Sequence, residues 1–234
     1  MTAHNNFLAI EGIDGAGKRT QIDLLCGMLR KRGVAFTRFS FPRYTSFYGR
    51  MVGRFLNGDF GRLADVDAHF SALLYAGDRL EAKRELERAL QSGRMVVADR
   101  YAASNLAHQG ARVPPKQQSA FLKWLLELEY KVHGIPREGL IILLRVPAAQ
   151  AQRLVERKAQ RGYTRKKKDI QEADLKHLKE AAKVYDRLAQ GPRWITVECF
   201  DKGAGKLRLP EEIHLDVVKK IEARAGFLLR RRRR

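Results

Sequence analysis

Two cysteines in 234 residues, Cys26 and Cys199, are too few for a disulfide framework. Their scarcity excludes a stapled secreted scaffold and makes a reducing cytoplasm the default expectation. Long apolar runs are missing as well. Leu140 to Leu144 is the longest pure one, far short of the roughly 20 residues that a bilayer span needs. No charged-then-apolar leader opens the sequence, because a strand pattern begins by Phe7. No internal repeat and no low-complexity linker interrupts residues 7–226, and no helix-turn-helix signature, RNA-binding strand motif or zinc spacing is present. Acidic residues are under-represented: 26 Asp and Glu stand against 46 Lys and Arg, for a net charge of +20. Such an imbalance implies a polyanionic partner, which nucleic acid, an anionic membrane surface or nucleotide phosphates would each satisfy. Part of it is local, in Arg165-Lys166-Lys167-Lys168 and in the run Arg230 to Arg234. Like-charge blocks of that kind are usually solvated, so nucleic acid is expected, if at all, only through the basic tail 227–234.

The length suits one well-cored α/β domain, expected over residues 1–226, in preference to two small ones, and the hydrophobic fraction of 44% is ordinary. Its organising stretch is Gly12-Ile13-Asp14-Gly15-Ala16-Gly17-Lys18-Arg19-Thr20. An apolar run, Phe7 to Ile10, precedes it and a helical pattern, Gln21 to Arg32, follows. Strand, glycine turn and helix form the setting of a phosphate-binding loop. Glycines let backbone N–H groups converge on an anion at the helix start, where the dipole favours negative charge. Lys18 would reach the outer phosphates. A metal-binding Ser or Thr should follow the lysine; Arg19 stands there instead and Thr20 is one residue late, so a metal must be held by other groups, carboxylates among them.

Strand and helix patterns alternate along the rest of the chain. Strands are expected at about Phe7 to Glu11, Val34 to Phe41, Met95 to Ala98, Leu140 to Val146 and Trp194 to Phe200. Helices are expected around Phe47 to Leu56, Ala64 to Gln91, Pro114 to Lys131, Ala148 to Lys158, Ile170 to Gln190 and Glu211 to Ala225, with residues 1–6 as a loose start. Right-handed crossovers then give a three-layer fold, a five-stranded parallel sheet flanked by helices, whose ligands sit beyond the carboxyl ends of the strands. That places Gly12–Thr20, Phe41–Tyr44 and Asp99–Gly110 beside one another.

Each of these stretches carries chemistry. Phe41-Pro42-Arg43-Tyr44 offers an aromatic ring and a cation. Tyr75 and Arg79 share a helix face, one to stack on a base and one to donate to its edge. Asp99 can attract Mg2+ and Arg100 can clamp a phosphate in two-pronged fashion. Ser104 and Asn105 follow on the same loop, and an Asn amide matches a pyrimidine edge with one donor and one acceptor. The basic segment Arg161 to Lys168 suits a lid over about 158–172, bringing cations to a triphosphate.

Together these motifs resemble the thymidylate kinase family of P-loop nucleoside monophosphate kinases, over about Phe7 to Phe200. The carriers are Glu11 to Lys18, Phe41-Pro42-Arg43, Ala76-Gly77-Asp78-Arg79, and Asp99-Arg100-Tyr101 with Ser104-Asn105-Leu106-Ala107-His108-Gln109-Gly110. The resemblance implies transfer of the γ-phosphate of ATP to dTMP, a homodimer built on the long helices, and Mg2+. It implies that Gly12, Gly15, Ala16, Gly17, Lys18, Arg19 and Thr20 bind ATP phosphates. Asp14 would touch the sugar hydroxyl or the metal region of dTMP, and Arg43 and Arg100 would hold the acceptor phosphate. Tyr75 would stack on thymine, Phe41 and Tyr44 would pack beside the base, Arg79 and Asn105 would read the base edge, and Ser104, His108 and Gln109 would complete the substrate contacts. The catalytic set would be Lys18, Arg100, Asp14 and the lid arginines Arg161 and Arg165. Asp14, Asp99, Asp169 and Glu172 are the metal candidates. The sequence departs from the family at Arg19, at His108 where tyrosine is usual, and at Arg145 where an aspartate is. Two alternatives stand beside this reading: a kinase of another pyrimidine monophosphate, and a non-catalytic nucleotide-dependent module on nucleic acid.

Overall fold

Residues 3–156, 169–171 and 174–224 are described by the computed structural model. The expected lid, including Arg161, Arg165 and Glu172, lies outside these residues except for Asp169, Ile170 and Gln171, and so does the tail 227–234. Five strands, β1 (Ala3–Glu11), β2 (Phe36–Ser40), β3 (Met95–Asp99), β4 (Arg137–Arg145) and β5 (Trp194–Glu198), form one parallel sheet in the order β2-β3-β1-β4-β5. β1 is central, with Leu8 opposite Val97 of β3 and Leu140 of β4.

Alternate residues of β1 feed two cores, as a sheet covered on both faces requires. Leu8 and Ile10 join Ile22, Leu25 and Leu29 of α1 (Lys18–Lys31), along with buried residues of the last two helices. Phe7 and Ala9 join Ala82 and Leu86 on the opposite face. Those two belong to α3 (Ala68–Gln91), which follows α2 (Phe47–Asn57) and is capped by Asp67 through the amides of His69 and Phe70. The remaining helices are α4 (Ala102–Gly110), α5 (Pro115–Glu127) running into a π turn at Leu128–Val132, α6 (Ala148–Glu156), α7 (Leu175–Leu188) and α8 (Pro210–Glu222). A small hairpin, β6 (Phe200–Asp201) and β7 (Lys206–Leu207), precedes α8.

Four local expectations are corrected. Residues 3–6 are strand rather than loose start: Ala3 and His4 pair with Arg137 and Glu138 across a register shift, and Asn6 Nδ2 donates to the Leu90 and Arg94 carbonyls. The expected loop after Asp99 is the helix α4. All nine of its residues are buried, and its polar side chains, Ser104, Asn105, His108 and Gln109, form a stripe that faces the cavity instead of solvent. The helix expected from Ile170 begins only at Leu175, capped by Asp174 through the His177 amide. The fifth strand stops at Glu198, and the hairpin takes over.

Candidate active site

At the carboxyl end of β1 the chain turns through Gly12 to Gly17 into α1. Gly15 has φ 88°, and a Cβ on it would stand 2.0 Å from the Ala151 carbonyl oxygen of α6, so only glycine fits. Gly17, φ 83°, has nothing within 4 Å of such a Cβ, which leaves open space at the helix start where an anion would rest. Lys18 is buried, its Nζ 2.9 Å from the Gly12 carbonyl and 3.0 Å from that of Ile13. Gly12 and Ala16 lie beneath the loop, while Arg19 and Thr20 stand on its rim.

Across from the loop, β3 ends at Asp99 and Arg100 adopts φ 65°, the one positive value at a non-glycine residue among the described residues. Strain of this kind persists where surrounding structure over-determines it. The Arg100 amide donates to Ile10 O at 3.1 Å. Its guanidinium meets the phosphate loop directly: Nη2 lies 2.7 Å from Asp14 Oδ1, and Nη1 lies 3.3 Å from Gly12 O, 3.0 Å from Ser104 Oγ and 3.2 Å from His108 Nε2. Burial opposes the Arg100 charge, and the Asp14 carboxylate, aided by Glu11 and Asp99, more than outweighs it and holds the group well above its usual pKa.

Glu11 anchors this geometry, a task that its place in the motif does not announce. Wholly buried, it accepts from Tyr101 N (2.7 Å), Ser104 N (3.2 Å), Ser104 Oγ (2.6 Å) and Tyr185 Oη (2.8 Å). It therefore binds the first turn of α4 to β1 and α7. Burial raises its pKa, against the lowering pull of Ser104 and Arg100. Arg100 can only donate, so neutral His108 accepts at Nε2 and carries its proton on Nδ1, 3.3 Å from His177 Nε2 of α7. Burial first, and Arg100 next, push His108 well below the usual histidine pKa. Burial, then Arg112, lower His177 to about 4.

A cavity of about 770 Å3 opens between the two turns. Asp14, Gly15, Gly17 and Lys18 border it on one side and Asp99, Arg100, Ser104 and His108 on the other. Farther along, Phe41, Tyr44, Tyr75, Arg79, Asn105 and Gln109 border it, with Asp169 at the edge. Phe41 is held by ring contacts to Tyr101 (5.6 Å) and Phe39 (6.4 Å), and Tyr75 stands edge-on to Phe55 at 6.4 Å. Asn105 Nδ2 donates to Ala72 O and Glu129 Oε1, both at 3.0 Å. Two acceptors fix the amide's orientation, and Oδ1 is buried with no hydrogen-bond partner. Gln109 Oε1 accepts from Ser71 Oγ and Arg112 Nη1, each at 2.8 Å.

Two arginines sit otherwise than the sequence suggested. Arg43 does not border the cavity: its guanidinium turns to Asp78, 3.4 Å away, and to Glu85 at 3.6 Å. Asp78 is only 1% exposed and draws in the Arg43 amide and Ser46 Oγ as well, so a buried carboxylate has claimed the cation. Arg79 borders the cavity but is bound in a two-pronged ion pair with buried Glu129, at 3.0 Å through Nε and through Nη2 to Oε1. Residues that sequence reading passed over, Arg38, Ser40, Leu56 and Gln171, also line the space. Arg38 and Ser40 were detectable as alternate positions at the carboxyl end of β2; Leu56 and Gln171 carried no signal.

The family model for thymidylate kinase matches residues 10–202, most of the chain and the whole of this site. The chain belongs to the thymidylate kinase family. Thymidylate kinase from Mycobacterium tuberculosis (strain ATCC 25618 / H37Rv) is 34% identical over 194 residues, 81% of this chain and 90% of that protein. A probable thymidylate kinase from Pyrobaculum aerophilum is 30% identical over 222 residues, 94% of this chain and 98% of the other. The solved thymidylate kinase of Candida albicans superposes with a TM-score of 0.74 at 18% identity, covering 97% of this chain and 96% of its own, which shows the fold. The family is one of phosphotransferases.

Proposed function

We propose that the protein transfers the γ-phosphoryl group of ATP to dTMP, giving dTDP. The observation that carries this reading is the 2.7 Å contact of Arg100 with Asp14 at the throat of one cavity that has an anion cradle on one side and base-reading groups on the other. ATP phosphates rest on the amides of the loop and on Lys18. The acceptor phosphate lies against Arg100, whose fixed fork suits a planar two-point contact. No general base is required, because the attacking oxygen is already anionic; catalysis is positioning and charge stabilisation. Tyr75 and Phe41 flank the base. Asn105 Oδ1, buried and unpartnered, accepts the N3–H of a thymine or uracil ring, and a cytosine ring has no hydrogen there to give. Arg79, locked on Glu129, presents its remaining edge to the ring carbonyls.

Asp14, Asp99 and Asp169 all border the cavity, but among the described residues no three acidic, histidine or cysteine side chains stand close enough to hold an ion together, so Mg2+ would rest on substrate phosphates with one of these carboxylates. When bound there the ion would neutralise phosphate charge, and the Arg19 side chain, 85% exposed and lacking a hydroxyl, takes no part in holding it. The outer face of α3 carries exposed Phe70, Leu73 and Leu80, with Phe47 and Tyr48 of α2 beside it; we read this as the homodimer surface, and sedimentation equilibrium would show a dimer. Two free buried cysteines accord with a cytoplasmic setting. Among the described residues no helix is long and apolar enough to cross a membrane.

The test of the reaction is a coupled ATP assay with dTMP, dUMP, dCMP, dGMP and AMP side by side. Selective turnover of dTMP supports the proposal, weaker turnover of dUMP accords with it, and preference for dCMP or a purine contradicts it.

A further inference from the structure

We infer that the end of the molecule opposite the active site is a second anion-binding surface, one that docks the phosphate backbone of duplex nucleic acid. α1 and α8 lie side by side and parallel: Gln21 Nε2 donates to Pro210 O at 2.9 Å where they begin, and Arg32 pairs with Glu222 at 2.6 Å where they end. Both helices therefore finish at the amino-terminal edge of the sheet, while the cavity lies at the carboxyl edge. Their last turns carry Arg30 and Lys31, and Lys219 and Lys220.

Neighbouring contacts extend these four into a belt. The Arg30 guanidinium sits over the Phe36 ring at 5.8 Å, and Arg94 Nη2 donates to the Phe36 carbonyl at 2.9 Å. Arg224 donates to Pro192 O (2.9 Å) and Trp194 O (2.8 Å), and Lys220 to Thr196 O (2.7 Å). All of these cations are exposed, and Glu222 is the one carboxylate ion-paired within the belt among the described residues. A cation or two near a helix end is stabilising in its own right. A belt of so many cations with only Glu222 ion-paired among them is not explained that way, since its charges repel one another.

Carbonyl contacts hold the Arg94, Lys220 and Arg224 side chains in place, so little side-chain freedom remains to be lost on docking. Phe36 is covered by Arg30 and no exposed large apolar or aromatic side chain lies on these last turns, which removes both the stacking platform of a single-strand binder and the apolar wedge of a membrane binder. Cations spread over a broad face suit a duplex, with its dense regular phosphates. The sequence carries a further basic run, Arg230 to Arg234, outside the described residues. The competing partner is an anionic membrane, because Phe227, Leu228 and Leu229 precede those arginines.

The test is fluorescence anisotropy of a labelled mixed-sequence duplex of about 20 base pairs, titrated with the full chain at about 50 to 200 mM salt. A non-hydrolysable ATP analogue and dTMP are kept saturating so that the active site is filled. One variant combines Arg30→Glu, Lys31→Glu, Arg94→Glu and Lys220→Glu; a second replaces Arg230 to Arg234 by glutamine. Expected are a steep salt dependence in the parent, at least about a tenfold loss of affinity with a slope reduced by about 3 in the belt variant, and retained salt-dependent binding in the tail variant. Kinase turnover within about twofold of the parent verifies that the belt variant is folded. Duplex binding unchanged by the belt substitutions overturns the inference, as does binding to phosphatidylserine vesicles with none to the duplex.

Discussion

Acidification should loosen this fold through His177. The imidazole is 5% exposed, faces His108 Nδ1 at 3.3 Å, and titrates at about 4 instead of 6.5. Arg100, Arg112, Lys18, Asp14 and Asp174 supply the charges around the pair, and the three cations are among the forces that keep it neutral. Between pH 6.5 and 4 the unfolded chain binds a proton that the folded chain refuses, so stability falls as pH falls. The gap corresponds to about 3.4 kcal/mol once pH 4 is passed, and to about 1.3 kcal/mol between pH 7.5 and 5.5. His108, lowered in the same direction, adds to this loss. His177→Gln keeps an acceptor for His108 but cannot titrate. Urea unfolding of parent and variant at pH 7.5, 6.5 and 5.5 measures the difference directly, and every other group cancels to first order. The parent should lose about 1.3 kcal/mol more than the variant over that range. Parallel pH dependences would refute the tautomer chain from Arg100 through His108 to His177.

Four other outcomes follow from the same geometry. Arg100→Ala should lower kcat at least about 100-fold, with the thermal midpoint nearly unmoved because Asp14 can turn to water; steady-state kinetics and a melt check both halves. Asn105→Ala should weaken dTMP binding by about 1–3 kcal/mol in calorimetry while leaving ATP affinity unchanged. Arg79→Ala strands Glu129, which is 0% exposed, and should cost about 3–5 kcal/mol in urea unfolding. Glu138 is buried, accepts from Tyr130 Oη, and is raised by burial to about 7; the stability present below pH 4.5 is lost as pH rises through 7. Glu138→Gln should therefore gain about 2.5 kcal/mol relative to the parent between pH 5 and 8, read by unfolding at both values.

The parts of this site that sequence alone revealed are those whose function is local. Gly12, Gly15, Gly17 and Lys18 form their cradle within seven residues, between a strand and a helix that both show their apolar periods. The Asp99-Arg100 turn is similar, because four apolar residues of β3 point to it. What stayed hidden depends on partners far along the chain. Nothing near Arg79 announces Glu129, fifty residues later, and nothing near Arg43 shows that buried Asp78 will take its guanidinium. Glu11 was visible as a letter in a motif, yet its task of tying α4 and α7 to β1 appears only when Tyr101, Ser104 and Tyr185 arrive from elsewhere. α4 escaped detection because it is only nine residues long and its polar stripe, Ser104, Asn105, His108 and Gln109, faces a buried cavity, so its residues read as the chemistry of a loop.

The central claim is that one cavity seats both nucleotides with their phosphates between the loop and Arg100. Adenosine and thymidine joined through five phosphates at their 5′ carbons form a probe that must fill both halves at once. Isothermal calorimetry should show one probe per chain, bound more tightly than either ATP or dTMP and displaced by each of them. Binding that only ATP displaces, or that only dTMP displaces, would contradict it.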